Sequence, residues 1–140
     1  MPRSSTSLRL DDELRARLAR MADAERTSLT AQVERLLREA IAMDDHPGIV
    51  FTSGPAGRRA ALAGGPDVWE IVSALRSTEG PENERVAALA VEFGIAQRQV
   101  VVALDYAAAH YDEVQARVQA NDLALERAER NARERRRLLA

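Results

Sequence analysis

The 140-residue sequence has no cysteine and no lysine, two histidines, and only 4% aromatic residues. Without cysteine, a disulfide framework, a thiolate zinc site and a cysteine nucleophile are excluded, and nothing marks the chain for an oxidising compartment. Long apolar runs are also missing. The longest, Val86 to Val91, falls far short of the roughly 18 residues a membrane helix needs, and Met1 to Leu10 holds no apolar signal core. The expectation is a cytoplasmic protein with no membrane contact.

All 20 basic residues are arginine, against 22 acids, for a net charge of −2. That balance conceals a pattern along the chain. Residues 1–43 carry eight arginines and seven acids, residues 44–110 five and nine, and residues 111–140 seven and six. The acidic middle opens with a breaker cluster, Asp44-Asp45-His46-Pro47-Gly48, and Gly and Pro recur up to Gly80-Pro81. Three segments are expected: 1–44, 45–110 and 111–140. Ala, Leu and Arg usage favours helix throughout.

In the first segment Thr6, Leu8 and Leu10 alternate with Ser5, Ser7 and Arg9, the period of a strand with one apolar face. Asp11 is placed to cap a helix whose apolar positions are Leu14, Leu18 and Met21, with Arg15, Arg17 and Arg20 outside. Ser28 is placed to cap a second helix with Val33, Leu36, Leu37, Ala40 and Ile41 on its apolar face. One strand cannot satisfy its own ladder, and so short a segment cannot close a core. The strand is therefore expected to pair with its copy in a second chain.

Ser5-Thr6-Ser7-Leu8-Arg9-Leu10-Asp11-Asp12-Glu13-Leu14, then Leu18 and Ser28-Leu29-Thr30, resembles the ribbon-helix-helix DNA-binding family across residues 4–43. The resemblance implies a homodimer whose intermolecular β-ribbon enters the major groove of double-stranded operator DNA. Carried onto this sequence, the base-reading positions are Ser5, Ser7 and Arg9, while Thr6, Leu8 and Leu10 face the dimer core. Arg9 has the geometry for a bidentate contact to guanine. The family also clamps phosphate at the start of its second helix, here Ser28, Leu29 and Thr30, and Arg3 lies where it would anchor phosphate.

In the middle segment Ile49-Val50-Phe51 and Ala60-Ala61-Leu62-Ala63 flank turn chemistry at Gly54-Pro55-Ala56-Gly57, which predicts a β-hairpin. Gly54 to Arg59 lacks the Gly-Lys-Ser/Thr ending of a phosphate loop, so nucleotide binding is set aside. A helix is expected from Asp67 through Arg76, with Trp69 in the core. Asn83 to Phe93, the Gly94-Ile95 turn and Gln97 to Ala109 have helix-turn-helix spacing, with Leu89, Ala90, Phe93, Ile95, Val100 and Ala103 as packing positions. Gln97 and Arg98 are candidates for a second DNA contact, yet Val101 and Val102 stand where base-reading side chains belong. The motif serves either packing or reading.

Arg58-Arg59, Gly64-Gly65, Pro66-Asp67-Val68-Trp69, Ala103-Leu104-Asp105-Tyr106-Ala107 and His110-Tyr111-Asp112-Glu113 resemble a small domain found in antitoxins of PIN-like nuclease operons. That resemblance implies an antitoxin that binds a nuclease toxin and represses its own operon. From His110 onward Gly and Pro are absent, and Glu113/Arg117, Glu126/Arg130 and Glu129/Arg133 stand at i,i+4 on an expected long helix. Tyr111, Val114, Val118, Leu125, Ala128 and Ala132 trace a thin heptad seam that Asn121 interrupts. Arg133, Arg135, Arg136 and Arg137 are candidates for docking into an acidic nuclease site; the other reading of them is a solvated tail.

Asp44-Asp45-His46 lacks a second cluster to complete a metal shell, and His110-Tyr111-Asp112 has no nucleophile motif beside it. No catalytic residue, metal or cofactor is expected. The fold expectation is mainly α: a dimeric N-terminal ribbon-helix-helix, a small β-hairpin/helix-turn-helix-like domain and a long C-terminal charged helix. The function expectation is a nucleoid-associated repressor acting as an autoregulating antitoxin. A stand-alone regulator, or an architectural protein that coats DNA, is the alternative.

Overall fold

The computed structural model describes residues 2–140. They form α1 (Asp12–Ala24), α2 (Leu29–Asp45), β1 (Ile49–Gly54), β2 (Gly57–Leu62), α3 (Val68–Leu75), α4 (Glu82–Phe93), α5 (Gln97–Ala109) and α6 (Tyr111–Leu139). The chain is mainly helical and divides into two compact units, residues 1–42 and 43–140. Among the described residues, no single helix is long and apolar enough to cross a membrane.

In the first unit the expected strand does not form. Residues 2–10 carry no helix or strand and are exposed on both faces, because one chain offers this segment no edge on which to build a ladder. Regular structure begins at Asp11, whose Oδ1 accepts from the Leu14 amide at 2.8 Å and caps α1. A short turn comes next, in which Arg26 takes a left-handed φ of 54°. The Ser28 hydroxyl then caps α2 by accepting from the Ala31 amide at 3.1 Å. Leu18, Ala22 and Ala42 are the buried apolar residues of this unit, and their number is too small for a self-sufficient core.

The most deeply buried side chain of the first unit is polar. Gln32 is fully enclosed, with its amide oriented to donate to Glu25 (3.2 Å) and accept from Arg35 (2.6 Å). Arg35 in turn donates to both Glu25 oxygens at 3.0 Å and to Glu39 at 3.2 Å. The polar knot satisfies its members and fixes the α1–α2 turn, as a buried amide requires.

The second unit is built on a hairpin. β1 and β2 pair antiparallel from Ile49↔Leu62 to Gly54↔Gly57, so the strands run further than the sequence indicates and Pro55-Ala56 alone form the turn. α3 packs on α5 and α6, and α4 on α5. Ile49, Leu62, Val68, Ile71, Leu89, Val100, Ala103 and Tyr106 are enclosed in the core. α4 and α5 meet at a bend of 108°, within the helix-turn-helix range. Gly94 makes that bend at φ +64°, the left-handed position that ends helices at least cost for glycine. The Ala96 amide donates to Gln99 Oε1 at 2.9 Å at the start of α5.

α6 belongs to this unit only at its start. Val114 and Val118 are buried, and Arg76 at the end of α3 holds Asp122 through two bonds of 2.9 and 3.0 Å. The hydrogen bond from Arg76, reinforced by its charge, holds the Asp122 carboxyl below the ordinary carboxylate range. Beyond Asp122 every residue is exposed except Ala132, which is half-buried.

Candidate nucleic-acid interface

Arg3, Ser5, Ser7 and Arg9 all lie in the irregular segment 2–10, exposed to solvent. The alternation that assigns Leu8 and Leu10 to an inner face has no counterpart within one chain, where Leu8 is 64% exposed. These leucines belong to a larger set. Leu14, Leu37 and Ile41, also of the first unit, are exposed as well, Leu37 by 51% and Ile41 by 61%. The first unit thus leaves much apolar side chain uncovered beside a small core.

Ser28 and Thr30 are exposed and Leu29 half-buried at the start of α2. The Ser28 hydroxyl is committed to the Ala31 amide, whereas the Leu29 and Thr30 amides belong to a first turn, where a helix offers no acceptors of its own. Two amides and the positive end of a 17-residue helix make up an anion-facing terminus.

In the second unit Gln97 and Arg98 are exposed at the start of α5. Their neighbours along the exposed side are Val101, 39% accessible, and Asp105. A valine and an acid beside one arginine form a poor surface for DNA phosphate. The expected packing positions, by contrast, are filled, with Leu89, Val100 and Ala103 fully enclosed.

Trp69 is not in the core. It is half-buried, with its indole N–H donating to Asp67 Oδ2 at 3.1 Å, and that carboxylate also receives the Arg59 guanidinium. The indole stays near the surface because its polar edge is drawn to a partner there. It walls an open groove of about 410 Å³ with Pro55, Ala56, Arg117 and Asn121. Arg117 donates to the Arg58 carbonyl.

One cluster was invisible in the sequence. The His46 ring packs edge-on to Tyr106 (centroids 5.4 Å) and His110 (5.8 Å), while Tyr106 stacks on His110 at 4.3 Å. The Tyr106 hydroxyl donates to Glu113 at 3.3 Å. None of the three i,i+4 pairs expected along α6 forms an ion pair among the described residues. His46 thus lies in the α2–β1 connection, half-buried, with its ring packed on Tyr106 and His110. Among the described residues no group of three His, Asp or Glu side chains converges as a metal ion would need.

Arg133, Arg135, Arg136 and Arg137 are exposed near the end of α6. No family model, no curated protein and no solved structure matches the chain.

Proposed function

We propose that the protein is a dimeric, sequence-specific DNA-binding repressor of transcription, with Ser5, Ser7 and Arg9 reading bases and Arg3, Ser28, Leu29 and Thr30 holding phosphate. The observation that carries this reading is the state of the first unit: an irregular, exposed segment of alternating pattern next to a helix pair with uncovered Leu14, Leu37 and Ile41. A second copy would supply both the missing ladder and the missing apolar cover, which turns residues 5–10 into a two-stranded ribbon of the kind that enters a major groove.

The fuller form of the reading is an autoregulating antitoxin that also inhibits a PIN-like nuclease through Arg133, Arg135, Arg136 and Arg137. Its support is the exposed arginine-rich end of α6 and the resemblance of residues 46–121. A stand-alone regulator or a DNA-coating protein is the competing reading. The poor charge of the α5 surface favours packing for the helix-turn-helix.

The test is binding of the native protein and Arg9→Ala to its own upstream DNA and to scrambled DNA at two salt concentrations. The expected result is a preference for upstream DNA that Arg9→Ala loses by about 1–3 kcal/mol while still dimerising. Equal, weak binding of both proteins to both DNAs, abolished by salt, would overturn operator reading and leave a charge-only contact.

A further inference from the structure

We propose that the groove beside Trp69 is a binding site for a small aromatic carboxylate. The site lies wholly within the second unit and does not depend on the repressor reading.

Three elements build the groove. The hairpin turn supplies Pro55, the start of α3 supplies Trp69, and α6 supplies Arg117, Ala120, Asn121 and Ala124. Those four positions of α6 stand at i, i+3, i+4 and i+7, which is one face of a helix. The groove's volume of about 410 Å³ falls at the lower end of the range of about 300–1,000 Å³ that small-molecule sites occupy. It therefore suits a ligand of one or two rings.

What each wall can offer a ligand is set by the bonds it already makes. The Trp69 indole N–H is engaged by Asp67 at 3.1 Å, so the ring presents carbon surface to the groove, beside the Pro55 ring and the alanine methyls. An aromatic ring stacked there buries apolar surface on itself and on the indole. The Arg59 guanidinium, also on the wall, is neutralised by the same Asp67 carboxylate. Neither charge of that pair is left to select a ligand.

Arg117 and Asn121 supply the selection. Arg117 is half-buried and donates to the Arg58 carbonyl, but among the described residues it forms no ion pair. Glu113, one turn earlier on α6, accepts from the Tyr106 hydroxyl at 3.3 Å instead. Arg117 is thus the uncompensated charge of the lining. A guanidinium has five N–H donors, so the one bond to Arg58 leaves an intact fork of two for a carboxylate. A Cβ on Gly57 would stand 3.7 Å from Arg117 Nη2, so the head rests against the hairpin turn. Asn121 is half-buried as well, and its amide makes no hydrogen bond among the described residues. One helical turn beyond Arg117, it is placed to donate to the same carboxylate while the ligand's ring lies on Trp69.

Trp69 is the single tryptophan of the chain, so its emission reads the wall of the site directly in full-length protein. Phenylacetate is the probe. Phenylacetamide, which has the same shape without the charge, and acetate, which has the charge without the ring, are the controls. Phenylacetate is expected to change the emission saturably, with a dissociation constant on the order of 1 mM for a ligand of so few atoms. Both controls should bind about tenfold more weakly. Arg117→Gln should abolish the preference for acid over amide. Arg117 also braces the hairpin turn, so two substitutions at residues without structural bonds keep the test independent of folding, with circular dichroism as the check. Asn121→Ala should weaken phenylacetate binding about threefold, and Ala124→Leu, at an exposed helix position, should fill the groove and prevent binding. No saturable change with phenylacetate, equal affinity for acid and amide, binding that survives Ala124→Leu, or native affinity in both Arg117→Gln and Asn121→Ala would each overturn the proposal.

Discussion

If the first unit dimerises as proposed, replacing Leu37 and Ile41 together by alanine should dissociate that dimer without unfolding its helices. Each substitution removes three carbons, about 2.4 kcal/mol if fully buried at about 0.8 kcal/mol per methylene. Leu37 and Ile41 keep 51% and 61% of their surface in the single chain, so about 1.2–1.5 kcal/mol per site belongs to the interface. Two sites on each of two chains amount to about 5 kcal/mol, and at about 1.4 kcal/mol per decade the dissociation constant should rise by between 10³ and 10⁴. Alanine is the best helix former, so α2 should persist. Sedimentation equilibrium over a concentration series measures the constant, with far-ultraviolet circular dichroism as the check on helix content. A shift smaller than tenfold with unchanged helix content would refute the assignment of these residues to the interface.

Three further outcomes are expected. Thr52 Oγ1 is buried with no hydrogen-bond partner. Thr52→Val removes that orphan and should therefore raise the urea midpoint by the equivalent of about 1 kcal/mol, whereas Thr52→Ser should not. Gly94 sits at φ +64° with open space where a Cβ would stand, so Gly94→Ala should cost only the backbone penalty of about 1–2 kcal/mol, and Gly94→Asn less. Asp122→Asn should make stability less dependent on acid. The carboxyl is depressed in the folded chain by the hydrogen bond from Arg76. Its contribution is fully present above the ordinary carboxylate value and lost as pH falls through the lower folded one, so the difference between wild type and variant should shrink only in acid below the ordinary carboxylate range.

Local signals were legible in the sequence and distant ones were not. The caps at Asp11 and Ser28 and the turn at Gly94 depend on residues within three or four positions, and each stands where the pattern puts it. The hairpin was readable for the same reason. Arg76 and Asp122 lie 46 residues apart and Arg117 and Arg58 59 apart, and nothing periodic announces such meetings. His46 and His110 converge on Tyr106 although the hairpin, α3, α4 and α5 lie between them in the chain. The apolar set of α3 placed Trp69 inside, but the indole N–H found its acceptor at the rim. Gln32 was hidden for the opposite reason, since a glutamine on a helix reads as surface until Glu25 and Arg35 are seen to enclose it. Of the candidate interface, residue types and order were readable. The strand was readable as a pattern at residues 5–10 but is not formed in one chain, because a ladder needs a second edge.

Phe51, Trp69, Phe93, Tyr106 and Tyr111 all fall within residues 43–140, and no aromatic ring occurs in residues 1–42. The two units therefore differ optically without any label. Tryptophan emission and near-ultraviolet ellipticity follow the second unit alone, while backbone ellipticity at 222 nm follows both. A thermal or urea transition seen at 222 nm but absent from Trp69 emission would belong to the first unit. Its dependence on protein concentration would then reveal whether that unit is folded by its own chain or by meeting another.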